Sequence, residues 1–179
     1  INRAGVVYEA PVEADMNRYM AVIEDYDDLD RIGSVRSCRT YYTYFAREFD
    51  AIYAHYGQST FAKPYLNNVD NINGLDAIGT TTYYRSKDKR SPHNAYTSGE
   101  RLKKAVGTLG YSTEYDESYQ GHYLFARDGV EISLEGRPGV IDAAHAKPGY
   151  AMNKPDFVYD SSDGLYHRYQ YGYRILSSP

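Results

Sequence analysis

The sequence predicts a mixed α/β or α+β domain, with a mixed central sheet flanked by helices and a β-rich C-terminal third. Three observations lead to this expectation. Residues 31–60 have the order of a loop, an amphipathic helix and an apolar strand. A second amphipathic helix is predicted at 98–109, and after Tyr111 the helical pattern gives way to strand-like segments.

The first two predicted strands lie near the N-terminus. An apolar run begins at Ala4 and ends near Glu9, bounded by Gly5 and Pro11. Residues 17–26 form the next strand, with apolar side chains on both faces. Apolar residues on both faces indicate an interior position in the sheet, with Arg18 near the start of the strand.

The first helix is predicted near 39–49, because Cys38, Tyr42, Phe45 and Phe49 recur at helical spacing. Ser37 is the candidate N-cap. Residues 50–56 are too short for an independent helix, and their neighbouring apolar side chains favour a strand covered on both faces.

The second helix has a predicted start and end. Thr97 and Glu100 have the spacing of a capping box, and Gly110 is placed to end the helix. Beyond it we expect strands at 119–126 and 130–134, and a hairpin over 157–173 that turns at 161–164.

Composition limits the classes of function. The 179 residues suit one domain, and a net charge of -4 argues against binding nucleic acid through a broad basic face. The single cysteine, Cys38, excludes an intrachain disulfide, and its helical phase favours a buried, inert thiol. No stretch of about 18 apolar residues occurs. The 22 tyrosines are scattered along the chain, which favours sheet and interface packing.

Arginines near the first helix are the strongest functional signal. Arg36 and Arg39, with Arg18 from the preceding strand, could form a fork for phosphate or carboxylate, since guanidinium groups offer paired donors. Alternatively, these arginines pair with acidic side chains in an internal ion network; the candidate acids are Glu9, Glu13 and Asp50.

Two histidines are the candidate catalytic groups, His55 at a strand end and His93 in the loop before the second helix. The neighbouring Ser59 and Asn94, together with Glu9, complete the candidate ligand-binding set. We predict no metal site and no cofactor, because the five histidines lack ligand spacing.

Several segments together resemble one bacterial family, and they lie in the same order over most of residues 1–110. They are VVYEAPVE at 6–13, NRYMAV at 17–22, IGSVRSCR at 32–39, FDAIYAHYG at 49–57, NINGLD at 71–76 and SPHNAYTS at 91–98. The chain is similar to the YerB family, bacterial proteins described as lipoproteins that are built on a domain of unknown function.

The resemblance implies an extracytoplasmic protein of Gram-positive-type bacteria, anchored in the membrane through a lipid on an upstream cysteine that these residues do not include. It implies a single YerB-like domain over 1–179, incomplete at both ends. Cys38 stands where a small apolar residue is usual in the family, which weakens any case for a cysteine nucleophile.

Two functions remain open. The first is a cell-envelope protein that binds, and in a catalytic version processes, an anionic ligand such as a phosphorylated glycan or a lipid phosphate. The second is a non-catalytic envelope scaffold or adaptor that binds a protein partner. Neither function involves nucleic acid.

Overall fold

The computed structural model describes residues 3–175, and these divide into two compact units. The first unit contains residues 3–7 and 20–122, and the second contains residues 8–19 and 123–175. A single domain over 1–179 stays a prediction from the sequence. Each unit is treated separately below.

The described residues contain three α-helices and eleven strands, in agreement with the predicted mixed α/β class and its strand-rich C-terminal part. The strands are β1 (Val6–Pro11), β2 (Asn17–Val22), β3 (Ile32–Gly33), β4 (Tyr53–His55), β5 (Asn71–Asn73), β6 (Tyr84–Arg85), β7 (Ala95–Thr97), β8 (His145–Ala146), β9 (Asp156–Asp160), β10 (Leu165–Gln170) and β11 (Tyr173–Arg174). The helices are α1 (Thr40–Arg47), α2 (Gly79–Thr82) and α3 (Gly99–Leu109).

The strands of the first unit form small sheets. β3, β7 and β6 pair in that order as an antiparallel sheet, and β4 runs parallel to β5 with His55 opposite Asn73. The prediction that 17–26 is an interior strand was wrong, because within residues 3–175 β2 pairs with β1 alone. The apolar residues on both faces of β2 therefore do not mean that a hydrogen-bonded strand lies on each of its two edges.

Both helices that the sequence predicted are present, but their caps differ from the prediction. α1 begins after Arg39 without a side-chain cap, and the Ser37 hydroxyl instead donates to the Tyr56 carbonyl. At α3 the cap is Ser98, whose Oγ accepts from the Arg101 amide, so the predicted Thr97–Glu100 capping box was wrong. The end of α3 was predicted correctly.

Two small cores stabilise the first unit. One joins strand β5 to α3 through Ile72, Tyr83, Ala105 and Val106. The other surrounds Cys38 with Ala62 and Leu66. Tyr53 of β4 packs against the Cys38 core, and Tyr56, which follows β4, packs against the other core. The loop after β4 therefore starts from a packed position.

The second unit is built on the predicted hairpin. β9 and β10 pair from Leu165 opposite Asp160 to Tyr169 opposite Asp156, and β8 and β11 extend the sheet on either side. The strands predicted at 119–126 and 130–134 are absent from the described chain. Residues 123–144 instead form an irregular, exposed segment.

Candidate functional site

The candidate site is a cavity of about 240 Å³ in the first unit, which we call the Arg36 pocket. It lies where the loop before α1 meets the loop after β4 and the start of β7. Its lining residues are Val35, Arg36, Ser37, Tyr56, Gly57, Gln58, Leu75, Arg85, Pro92 and Ala95. This described lining includes two arginines and no acidic side chain.

Asn73 at the end of β5 holds three of the lining residues in place. Its Oδ1 accepts from the amides of Gly57 at 2.9 Å and Leu75 at 3.1 Å, while its Nδ2 donates to Gln58 Oε1 at 3.3 Å. Gly57 has a φ of +74°, a conformation that a residue with a side chain adopts only with strain. The backbone after β4 is therefore held in one conformation beside the pocket.

Arg36 brings positive charge into the pocket without an acidic partner among the lining residues. Its guanidinium donates a hydrogen bond to the Pro92 carbonyl. Burial lowers the pKa of Arg36 below its ordinary value, and the positive charges of Arg39 and Arg85 lower it further. A bound anion would offset both the burial of this charge and the repulsion between the arginines.

Arg85 is held in place from two sides. Its guanidinium carbon lies 4.4 Å from the centre of the Tyr56 ring, within the distance of a cation–π interaction. Its Nη1 also donates to Asn94 Oδ1 at 3.0 Å. Asn94 in turn donates to the Ser86 carbonyl at 3.3 Å. Asn94 thus orients a pocket arginine from outside the lining.

Arg39 does not line the pocket. Its Nη1 donates to the carbonyls of Ser37 at 3.1 Å and Cys38 at 2.9 Å, the two residues just before it. Its charge nevertheless reaches Arg36, since it contributes to the lowered pKa of that arginine. Of the three arginines that the sequence grouped together, the structure places only Arg36 in the lining.

The two candidate histidines occupy different environments. His55 is fully buried, with Nδ1 2.8 Å from the Gly57 carbonyl and Nε2 3.1 Å from Asn71 Oδ1. His93 is exposed in the loop before β7. Neither lines the Arg36 pocket, although His55 contacts the carbonyl of Gly57, which does.

Ser59 and Cys38 both have local structural explanations. Ser59 Oγ accepts from the Ala62 amide at 3.2 Å and so stabilises the turn after β4. Cys38 is fully buried, and burial raises the pKa of its thiol to about 11, as expected of an inert core cysteine. Neither residue lines the pocket.

Glu9 and Arg18 belong to the second unit. Glu9 is bound there by a polar cluster in which Asn17 donates to Oε1 at 2.8 Å and Arg168 donates to Oε2 at 3.0 Å. Asn153, which is 2% exposed, also donates to Oε1. Burial by itself raises the pKa of Glu9, but these three donors outweigh it and hold the pKa below its ordinary value.

Sequence reasoning missed Arg85 and the side chains around it. Arg85 begins the charged stretch RSKDKR, whose composition indicates a solvated loop. The signal that was available is the pair Tyr83 and Tyr84 before it, because tyrosine is a residue type that favours strands. No sequence pattern distinguishes Tyr56 and Leu75 from ordinary core or loop residues.

One group of side chains within the described residues has the composition of a metal site. Ligand atoms of Asp160, Asp163 and His167 lie within 4.8 Å of one another. However, Asp160 accepts from the Ser162 amide and hydroxyl, which explains it as a turn residue. The guanidinium of Arg174 lies 2.6 Å from His167 Nδ1, and this positive charge disfavours a cation.

Comparisons with known proteins identify the family. Residues 1–112 match the family described as "Protein of unknown function (DUF3048) N-terminal domain". The "Putative lipoprotein YerB" of Bacillus subtilis (strain 168) is 34% identical over 118 residues, which are 65% of this chain and 35% of that protein. The chain thus matches about a third of the length of this curated relative.

The fold also resembles a solved structure, the "Crystal structure of YerB protein from Bacillus subtilis", with a TM-score of 0.73 and 26% identity. That likeness covers 97% of this chain and 56% of the other. Within residues 3–175, no helix has both the length and the apolar character needed to cross a bilayer. The matched sequence and fold confirm the predicted resemblance, and the chain belongs to the YerB-like DUF3048 family of unknown function.

Proposed function

We propose that the protein binds a small anionic ligand of the cell envelope in the Arg36 pocket. The observation that supports this most strongly is the charge of the lining, which contains Arg36 and Arg85 and no acidic residue. Phosphorylated glycans and lipid phosphates are anions of this environment, and guanidinium groups bind phosphate through paired hydrogen bonds.

The proposal concerns binding and not catalysis. General acid–base chemistry on a phosphate ester needs a proton-transfer group within hydrogen-bond reach of the ligand. The described lining contains no histidine, carboxylate or thiol, and His55 is enclosed by Gly57 and Asn71. The lining has the charge to hold an anion, and the proposal is limited to binding because neither candidate histidine lines the pocket.

The location of the protein belongs to the same proposal. We infer an extracytoplasmic protein that is anchored in the membrane through a lipid, and the name of its Bacillus subtilis relative, "Putative lipoprotein YerB", supports this. A pocket for envelope-derived anions would then face the compartment that supplies them. Fractionation of cells that express the full-length gene product, followed by detection in the membrane fraction, would test the location.

Loss of pocket charge should abolish anion binding without unfolding the protein. We expect a phosphate ester such as glycerol 1-phosphate to raise the melting temperature of the wild type. Arg36→Gln and Arg85→Gln should each remove this stabilisation, because each deletes one of the two cations that line the pocket. Thermal melts with and without the ester, at low and high salt, measure the effect.

Arg101 provides a matched control. Like Arg36 it donates to a backbone carbonyl, that of Thr81 at 2.6 Å, and like Arg85 its guanidinium lies over a tyrosine ring, that of Tyr84. It does not line the pocket. Arg101→Gln should keep the ligand response. An equal loss in this variant, or a wild type that no phosphate stabilises, would contradict the proposal and leave a scaffold function as the alternative.

A further inference from the structure

We propose that the ligand of the Arg36 pocket is a phosphate monoester of a single sugar or small polyol. This inference rests on the proposed anion-binding function and makes it more specific. Three features of the lining carry it: the number of cations, the volume of the cavity and the apolar side chains beside the arginines.

The charges favour a dianion over a carboxylate. Arg36 and Arg85 line the pocket, and Arg39 adds a third positive charge that acts on Arg36. A carboxylate would offset one of these charges, whereas a phosphate monoester carries a charge of about -1.5 to -2 at neutral pH. Its three terminal oxygens can also accept from two guanidinium groups at once.

The volume limits the size of the ester. The cavity measures about 240 Å³. Pockets that enclose drug-sized ligands have volumes of about 300–1,000 Å³. A phosphate with one sugar ring or a short polyol is therefore the largest group that the cavity can enclose. A nucleotide or a nucleotide sugar would leave most of its surface outside.

Apolar residues complete the lining. Val35, Tyr56, Leu75 and Ala95 lie in the same cavity as the arginines. Leu75 is 66% exposed, so its side chain can contact a ligand without being required for the core. Carbon-bound hydrogens of a sugar or polyol suit such a surface, whereas free phosphate would leave it in contact with water.

Calorimetric titration of the wild type with a series of probes tests each feature separately. Glucose 1-phosphate should bind about tenfold more tightly than inorganic phosphate, because only the ester contacts the apolar lining. It should also bind about tenfold more tightly than glucuronate, which has a sugar ring but a single negative charge. UDP-glucose should bind no more tightly than glucose 1-phosphate.

Leu75→Ser separates the apolar contact from the charge. This variant should weaken the binding of glucose 1-phosphate about threefold to tenfold and leave the binding of inorganic phosphate unchanged. Arg36→Gln should weaken both. Binding of the wild type to vesicles that contain phosphatidic acid, whose headgroup is a phosphate monoester, is compared with binding to vesicles of phosphatidylcholine alone. Stronger binding to the phosphatidic acid vesicles would indicate a lipid source of the ester, and equal binding would indicate a soluble one.

The outcomes distinguish this inference from the proposed function. If phosphate binds in an Arg36-dependent manner but glucose 1-phosphate binds no better, or Leu75→Ser changes nothing, the sugar monoester is ruled out and anion binding stands. If glucuronate binds as tightly as the ester, the requirement for a dianion is wrong. If no anion in the series binds to the wild type, both the inference and the proposed function fail.

Discussion

Arg36 and Arg39 stand three positions apart in the chain, yet their guanidinium groups have different partners. Arg36 donates to the carbonyl of Pro92, more than fifty residues away in sequence, and lines the pocket. Arg39 donates to the carbonyls of Ser37 and Cys38 directly before α1. A long side chain can bind the backbone beside it or a distant loop, and spacing in the sequence does not distinguish these outcomes.

Glu9 in the second unit gives a prediction for acid stability. Its pKa is held below the ordinary value of 4.5, so this carboxylate stabilises the fold above that pH and the contribution is lost as the pH falls through the lower folded pKa. Glu9→Gln should cost about 2 kcal/mol at pH 7, because the bond to Arg168 loses its charge. Urea unfolding at several pH values measures this.

The pH dependence separates the charge of Glu9 from the shape of its side chain. The stability difference between wild type and Glu9→Gln should narrow as the pH falls through the lowered folded pKa of Glu9, because both side chains are neutral only below it. The control is Glu131→Gln, which changes an exposed glutamate of the same unit and should match the wild type throughout. A difference for Glu9→Gln that stays constant with pH would show that the ionised form contributes nothing.

At the scale of elements, two glycines of α3 should respond in opposite ways to the same substitution. A Cβ at Gly99 would lie 1.9 Å from the backbone carbonyl oxygen of Tyr26, so Gly99→Ala must displace the backbone. A Cβ at Gly107 meets nothing within 4 Å. We expect Gly99→Ala to lower the free energy of unfolding by at least about 1–3 kcal/mol, and Gly107→Ala to raise it by about 1 kcal/mol.

Chemical denaturation of the two variants beside the wild type measures whether each substitution raises or lowers the free energy of unfolding. Each variant serves as the control for the other, since both gain one methyl group in the same helix. Equal effects of the two substitutions would mean that α3 does not pack against the chain near Tyr26. The ligand response of Gly107→Ala should equal that of the wild type, because the residue lies outside the pocket lining.

At the scale of the whole molecule, the described residues differ in how much of the backbone is hydrogen-bonded in regular structure. Residues 123–144 contain no helix or strand, and their side chains are exposed. Segments of this kind open at low free energy and are preferred sites of proteolysis. We therefore expect brief trypsin treatment to cleave first after Arg127, which mass spectrometry of the fragments would identify. Arg137 precedes Pro138, and trypsin does not cleave such a bond.

Basic residues in α3 provide the comparison for proteolysis. Lys103 and Lys104 are also exposed, but they lie in a hydrogen-bonded helix that packs through Ala105 and Val106. Their peptide bonds should resist cleavage until the first unit unfolds. Early cleavage at α3, with the bond after Arg127 intact, would contradict the assignment of 123–144 as the least protected described segment.

The sequence by itself determined the features that depend on local patterns. It predicted the mixed α/β class, α1, α3 with its end at Gly110, the hairpin of β9 and β10, and the family resemblance. These depend on helical spacing, turn residues and ordered motifs, all of which are visible in contiguous residues. The burial of Cys38 was predicted from its helical phase with Tyr42, but Cys38 precedes α1 and is buried against Ala62 and Leu66.

Only the tertiary structure decided which side chains share a cavity. Strand pairing places Arg85 of β6 near Arg36, and the Asn73 hydrogen bonds hold the loop after β4 beside both. The division into two units assigns Glu9 and Arg18 to a different body from Arg36. The alternation at 130–134 predicted a strand, but a strand needs a partner, and long-range pairing of this kind is not encoded in local periodicity.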